Sequence, residues 1–223
     1  MMIDIHSHIL PKADHGSHNL EESLKQLMTA SRYGVKSIVA TPHFYPFNDS
    51  IEKFLKRRDK AFDELSAANS TGIKIYKGAE VRLTTGLSSL KHIKKLAFES
   101  TNYLLLEMPS STTWNNILLN EIIKLQSLGL TIIIAHIERY SSNQIKKLME
   151  FDVLTQINAY SLFSPIKWFR IRKYIKSNVV TFIASDSHIY NYFLAYKYLK
   201  KSHNIIGSKF NTYMNNAKKI LSL

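Results

Sequence analysis

Seven short runs of β-branched and apolar residues recur along the chain, each followed by a polar loop and an amphipathic helical pattern. They are MIDI at 2–5, VKSIVA at 35–40, IKIYKGAEV at 73–81, YLLLE at 103–107, TIIIAH at 131–136, VLTQIN at 153–158 and VVTFIAS at 179–185. Strands separated by helices pair in parallel through right-handed crossovers, so the alternation restricts the chain to an α/β fold, either an open doubly wound sheet or a closed barrel. Neither a G-x-G-x-x-G fingerprint nor a Walker loop is present to favour a nucleotide-binding open sheet.

The helical patterns are amphipathic. Leu20, Leu24, Leu27 and Met28 fall on one face, with Asn19 and Glu22 at capping-box spacing and Gly34 as the stop. Ile51, Phe54, Leu55, Phe62 and Leu65 form a longer stripe, and Leu118, Ile122, Leu125 and Leu128 another before Gly129. Later helices are expected over roughly 143–150, 166–177, 190–201 and 212–221, with a weaker pattern over 87–98. Nothing marks a linker or a low-complexity segment, so residues 1–223 are expected to form one domain.

Composition removes several chemistries. With no cysteine, thiolate nucleophiles, disulfides and cysteine-bound zinc are excluded, and any metal must sit on His, Asp and Glu. No apolar run approaches the roughly 18 residues of a membrane helix and no signal core follows a basic N-terminus, so a cytoplasmic protein without membrane insertion is expected. The formal charge of +13 suggests anionic substrates. Its cations are scattered over predicted helices, at 56–58 and in KK pairs at 94, 146, 200 and 218, which speaks against a nucleic-acid interface.

Polar residues at the strand ends carry the functional signal. All but one of the predicted strands end on a residue able to bind a metal: His6 and His8, His43, Glu80, Glu107, His136, and Asp186 with His188. In a βα barrel the C-terminal strand ends converge on one mouth, so residues 6 and 188 can be neighbours. The H-x-H and D-x-H pairs place both members on one side of an extended strand. Burying so many charged groups requires compensation, which divalent cations supply, and eight or nine ligands imply two or three ions. Imidazole and carboxylate ligands suit Mn²⁺, Zn²⁺ or Fe²⁺. His18, His92 and His203 lie in surface contexts, whereas Phe44 and Tyr140 adjoin candidate ligands and can line the pocket. Arg139, three residues beyond His136, can offer a planar fork to a phosphate.

The segments MIDIHSHILPKADHG, GVKSIVATPHF, KGAEVRLT, LLLEMP, TIIIAHIERY, TQINAYSL and FIASDSH together resemble the polymerase-and-histidinol-phosphatase (PHP) superfamily, over Met2 to about His188. Within it the chain is most similar to the CpsB-type, manganese-dependent bacterial tyrosine phosphatases that control capsule and exopolysaccharide synthesis. The resemblance implies a distorted (β/α)₇ TIM-like barrel with a trinuclear centre. His6, His8, Glu80 and Asp186 would hold one ion, and Glu80 would bridge to a second held by Glu107 and His136. His43 and His188 would hold the third, and Arg139 would contact the phosphate. It further implies attack on phosphotyrosine by a metal-bridging hydroxide, with a bacterial tyrosine kinase tail as partner.

Two departures stand out. Where the family has DDG this chain has Asp14, His15 and Gly16, so either Asp14 or His15 completes the third site. The family's second phosphate-binding arginine after SDSH is missing, with Arg82 or Lys197 available as replacements. Related PHP phosphoesterases acting on histidinol phosphate or nucleic acid, and a weakly active phosphate-binding module, are the alternatives.

Overall fold

The computed structural model describes residues 1–109 and 113–223. Among them, nine short strands are β1 Met2–Ser7, β2 Val35–Ala40, β3 His43–Phe44, β4 Lys74–Lys77, β5 Glu80–Arg82, β6 Tyr103–Glu107, β7 Thr131–Ile134, β8 Leu154–Asn158 and β9 Phe182–Ala184. Seven α-helices are α1 Leu20–Arg32, α2 Ile51–Ala68, α3 Asn116–Ser127, α4 Ser142–Leu148, α5 Pro165–Lys176, α6 Tyr192–Ile206 and α7 Ser208–Ile220.

Every strand pairing is parallel, in the orders β1-β2-β4 and β3-β5-β6-β7-β8-β9. Gly78 N to Ala40 O (2.9 Å) and Glu80 N to Pro42 O (3.1 Å) join the two sets. The sheet curls until its last strand meets its first, where Asp186 N donates to His6 O (2.9 Å) and His8 N to Ser187 O (2.8 Å). An open doubly wound sheet does not make that contact, so a curled parallel sheet within a mixed α/β fold is what the alternation produces.

Two apolar layers follow from strand alternation. Leu104, Leu106, Ile132 and Ile134 face the helices, packing with Leu118, Ile122 and Leu125 of α3. Their odd-numbered neighbours Leu105 and Ile133 join Ile3, Ile5, Val39, Phe182 and Ala184 inside the curl, together with Ala217 and Ile220 of α7. The C-terminal helix is therefore part of the core.

The expected third strand divides in two. A Cβ on Gly78 would lie 2.9 Å from both the Phe98 and Val39 side chains, so the chain turns where only glycine fits, separating β4 from β5. The 87–98 segment forms two 3₁₀ turns, Leu87–Ser89 and Ile93–Leu96, rather than a helix. Met28 and Leu128, expected on apolar faces, are substantially exposed. In α1 the buried face instead includes Ser23 and Gln26, which bond to Ser17 and to Gly16 O and Ser187, respectively. Its N-cap is Asn19, accepting from Glu22 N (2.9 Å), but the Glu22 carboxylate reaches His18 N instead of closing the box on Asn19.

Candidate metal centre

The C-terminal strand ends bring His6, His8, His43, Glu80, Glu107, His136, Asp186 and His188 together, all of them shielded from solvent or nearly so. An irregularity in β1 makes this possible. Asp4 pairs with Ile38 and Ser7 with Ala40, so β1 spends three residues where β2 spends two. The extra residue is a bulge that switches face: Ile3 and Ile5 lie inside the curl, and beyond the bulge so do His6 and His8. Asp4 and Ser7 point elsewhere, to Ser185 Oγ (2.5 Å) and Tyr196 OH (3.2 Å).

Glu80 lies at the middle of the cluster. Its Oε2 is 3.0 Å from His43 Nδ1, 3.2 Å from His6 Nε2 and 3.3 Å from His8 Nε2, while Oε1 is 2.7 Å from His136 Nε2. Asp186 Oδ1 lies 3.5 Å from both His6 Nε2 and His8 Nε2. Three sets of candidate donor atoms converge within 4.8 Å: His6, His8 and Asp186; His43, Glu80 and Glu107; His8, His43 and His188. His136 adds to the second, 3.8 Å from Glu107 Oε1.

The donors fit divalent cations. Glu80 Oε2 and His43 Nδ1 are buried without a hydrogen-bond partner, although Glu80 Oε2 faces three imidazole nitrogens. Leaving a buried carboxylate oxygen unsatisfied costs about 1–3 kcal/mol or more, which a shared cation removes. Burial would raise Glu80 and Asp186, but the histidines hold both well below the carboxylate range. Burial would likewise lower His6 and His8, yet Glu80 and Asp186 raise His6, and Asp14 lifts His8 well above the histidine range. His188 is pushed down to about 3 by burial and then by His8, which keeps its imidazole neutral.

His136 and Asp186 adopt left-handed backbone, with φ of 35° and 51°. Such conformations cost an L residue about 1–3 kcal/mol. They end the strands early, at Ile134 and Ala184, and turn both side chains into the cluster.

Asp14 and His15 separate by role. Asp14 Oδ2 accepts from His8 Nδ1 (2.7 Å) and His43 N (2.8 Å), and Oδ1 accepts from Gly16 N (2.8 Å). Its oxygens orient the His8 ring and hold the His43 backbone, whereas the His15 ring stacks against His43 (4.9 Å) and His188 (5.0 Å) at the solvent side. Gly16 permits the loop to close over β1, since a Cβ there would fall 2.2 Å from His8 Cβ.

The strand without an acidic or histidine terminus supplies the part missing from the sequence reading. Gln156 Oε1 lies 3.2 Å from His6 Nδ1 and accepts from His136 N (2.8 Å). Gln156 Nε2 donates to Asn158 Oδ1 (2.8 Å), and Asn158 Nδ2 donates to Asp186 Oδ2 (2.7 Å). With Nδ1 donating to Gln156, His6 turns a lone pair on Nε2 towards the cluster.

Arg139 reaches Asp186 Oδ2 (2.6 Å), and Arg82 reaches Glu107 Oε2 (2.9 Å). Lys197 instead stacks over Phe193 on α6. Phe44, expected beside the pocket, packs in the core against Phe54, and it is Tyr45 whose ring lies on His43. Tyr140 is buried behind the cluster, accepting from Met108 N (3.0 Å) and 3.4 Å from His136 Nδ1. His18, His92 and His203 are exposed.

The family described as "Capsular polysaccharide synthesis, CpsB/CapC" matches residues 2–222. The chain belongs to this family. It is 30% identical to the tyrosine-protein phosphatase CpsB of Streptococcus pneumoniae, over 99% of this chain and 98% of that one. With the putative tyrosine-protein phosphatase CapC of Staphylococcus aureus it shares 35% identity, over 84% and 77% of the two chains. A solved structure from a study of Bacillus subtilis YwqE and S. pneumoniae CpsB, described as metal-dependent tyrosine phosphatases, superposes with a TM-score of 0.81 at 24% identity. It covers 99% of this chain and 94% of that one, so the fold is shared throughout.

Proposed function

We propose that the chain is a metal-dependent protein-tyrosine phosphatase acting on a phosphotyrosine protein of capsule or exopolysaccharide synthesis, with a bacterial tyrosine kinase tail as the substrate. The observation that carries it is the convergence of His6, His8, His43 and His136 on Glu80 beside the Arg139 guanidinium. The family and its named phosphatase relatives support the same chemistry. Residues 1–223 are taken as one domain, and the curled sheet as a distorted (β/α)₇ barrel in which β4 and β5 continue one strand.

Under this proposal His6, His8, Glu80 and Asp186 would hold one ion, Glu80, Glu107 and His136 would serve a second, and His43, His188 and His15 a third, with Asp14 orienting His8. Mn²⁺ is the proposed metal. Bound ions would supply an activated water and neutralise charge developing on the phosphoryl oxygens. Arg139 presents its fork to those oxygens; burial opposes its charge, but Asp186 more than restores it, so it stays cationic at any working pH. Gln156 fixes the His6 tautomer throughout. A tyrosine phenolate, with a pKa of about 10, leaves with little help from an acid. The cysteine-based route is closed to a chain without cysteine.

The test is a substrate panel with Mn²⁺-loaded protein: a phosphotyrosyl peptide, histidinol phosphate and a single-stranded oligonucleotide. Preferential release of phosphate from the peptide is expected. Turnover of another ester with the peptide left intact would replace the proposal by a different phosphoesterase, and phosphate-sensitive binding without turnover by a binding module.

A further inference from the structure

Resting on the proposed phosphotyrosine chemistry, the geometry points to a subsite: we propose that the groove beside Glu107 seats the peptide around the phosphotyrosine, with Arg82 gripping the phosphoryl group opposite Arg139. Arg82 follows Glu80 by two residues on β5, so strand alternation sends both side chains to the same side of the sheet. Glu80 enters the cluster, and the Arg82 guanidinium lies against Glu107 Oε2 at 2.9 Å. Arg139 Nη1 approaches the other oxygen, Oε1, to 4.0 Å. Two guanidinium groups thus straddle one carboxylate, and each can turn its planar fork to a doubly charged phosphoryl group between them. Arg82 remains partly solvent-accessible, with a quarter of its side chain exposed.

A cavity of about 700 Å³ opens from Arg82. That is far more than a phosphoryl group needs and falls within the roughly 300–1,000 Å³ of sites that enclose drug-sized molecules. Tyr45 belongs both to this lining and to the centre, its ring stacked on His43 with centroids 5.1 Å apart. Leu83, Thr84 and Leu118 are buried lining residues, and Phe47 is 82% exposed at the rim. Among the described residues of the lining Arg82 is the one that carries charge, so this part of the groove is partly apolar with one cation at the metal-facing end. That order matches a peptide whose aromatic phosphoester points inward while its flanking residues lie along the groove, with Phe47 as an exposed aromatic anchor.

Steady-state kinetics of the Mn²⁺-loaded full chain on p-nitrophenyl phosphate and on a phosphotyrosyl peptide with flanking residues on both sides test this. Arg82→Ala should lower kcat/KM on both substrates by about tenfold or more, and raise the inhibition constant of inorganic phosphate comparably, with manganese content unchanged. Arg82→Lys, which keeps the charge but loses the fork, should fall between. Phe47→Ser should lower the ratio of peptide to p-nitrophenyl phosphate kcat/KM by about fivefold or more. Lys197→Ala should match the wild type. Unaltered phosphate inhibition in Arg82→Ala, or loss of its manganese, would overturn the role of Arg82, the latter because the residue would then serve only to hold Glu107. An unchanged ratio in Phe47→Ser would overturn the groove. A wild type inert on the peptide but active on p-nitrophenyl phosphate would instead overturn the function on which the subsite rests.

Discussion

Gln156 carries no charge, yet its carbonyl oxygen serves both His6 Nδ1 and His136 N, and its amide nitrogen holds Asn158, which in turn holds Asp186. One neutral side chain therefore ties together three groups of the cluster. Partners of this kind set the tautomer and basicity of a ligating imidazole, and losing one costs about 10- to 100-fold in metal affinity. Gln156→Leu is expected to lower Mn²⁺ affinity by that factor, measured by calorimetric titration, with the far-ultraviolet circular dichroism unchanged. Wild-type affinity in this variant would show that Gln156 orients nothing. The residue scale also shows what sequence makes legible. His6, His8, Asp186 and His188 stand out because charge-bearing residues at spacing two near strand ends are chemically unusual. Gln156 and Asn158 do not, since a strand ending in amides looks like any other. Nor does sequence separate Asp14 from His15, because only the loop closing at Gly16 decides which side chain faces His8.

Strands and helices were legible as types, and their boundaries moved wherever a single residue altered the backbone. β1 appears as an uninterrupted apolar run, but its bulge is invisible to a pattern of period two, and without that extra residue His6 and His8 would face the helices. The third strand breaks at Gly78, and β7 and β9 stop before their left-handed His136 and Asp186. Helix α3 is attached to the first 3₁₀ turn by Glu121, a buried carboxylate accepting from Ser88 N (2.9 Å) and Lys124 Nζ (2.9 Å). Burial would raise Glu121, but these bonds win and bring it from 4.5 down to about 2. A depressed carboxylate contributes stability above its ordinary value, and that contribution is lost as pH falls from 4.5 towards about 2. Glu121→Gln should therefore be less stable than the wild type at neutral pH, with the gap in melting temperature narrowing from about pH 5 and closing towards about pH 2. A gap independent of pH would contradict this account of how α3 is held.

At the scale of the whole molecule, the curled sheet gathers candidate donors from residues 6 to 188 into one cluster, so ion binding there would be coupled to folding. Carboxylates raise His6 and His8 above the ordinary histidine value, so these imidazoles keep their protons to higher pH and compete with a cation for Nε2. Metal affinity should rise with pH across roughly pH 6–8 and binding should release protons, both readable by calorimetry in buffers of different ionisation enthalpy. Affinity independent of pH would place the ion elsewhere. The central claim, that the cluster around Glu80 binds the ions on which phosphotyrosine hydrolysis depends, is tested most directly by pairing elemental analysis with phosphate release. The protein would be stripped with chelator, assayed on a phosphotyrosyl peptide, reloaded with Mn²⁺ and assayed again, beside His136→Ala treated identically. The account predicts two or three ions per reloaded chain, activity that disappears on stripping and returns on reloading, and a variant that retains fewer ions and at most about one hundredth of the turnover. Full activity in the stripped protein, or a His136→Ala variant with wild-type metal content and turnover, would contradict it.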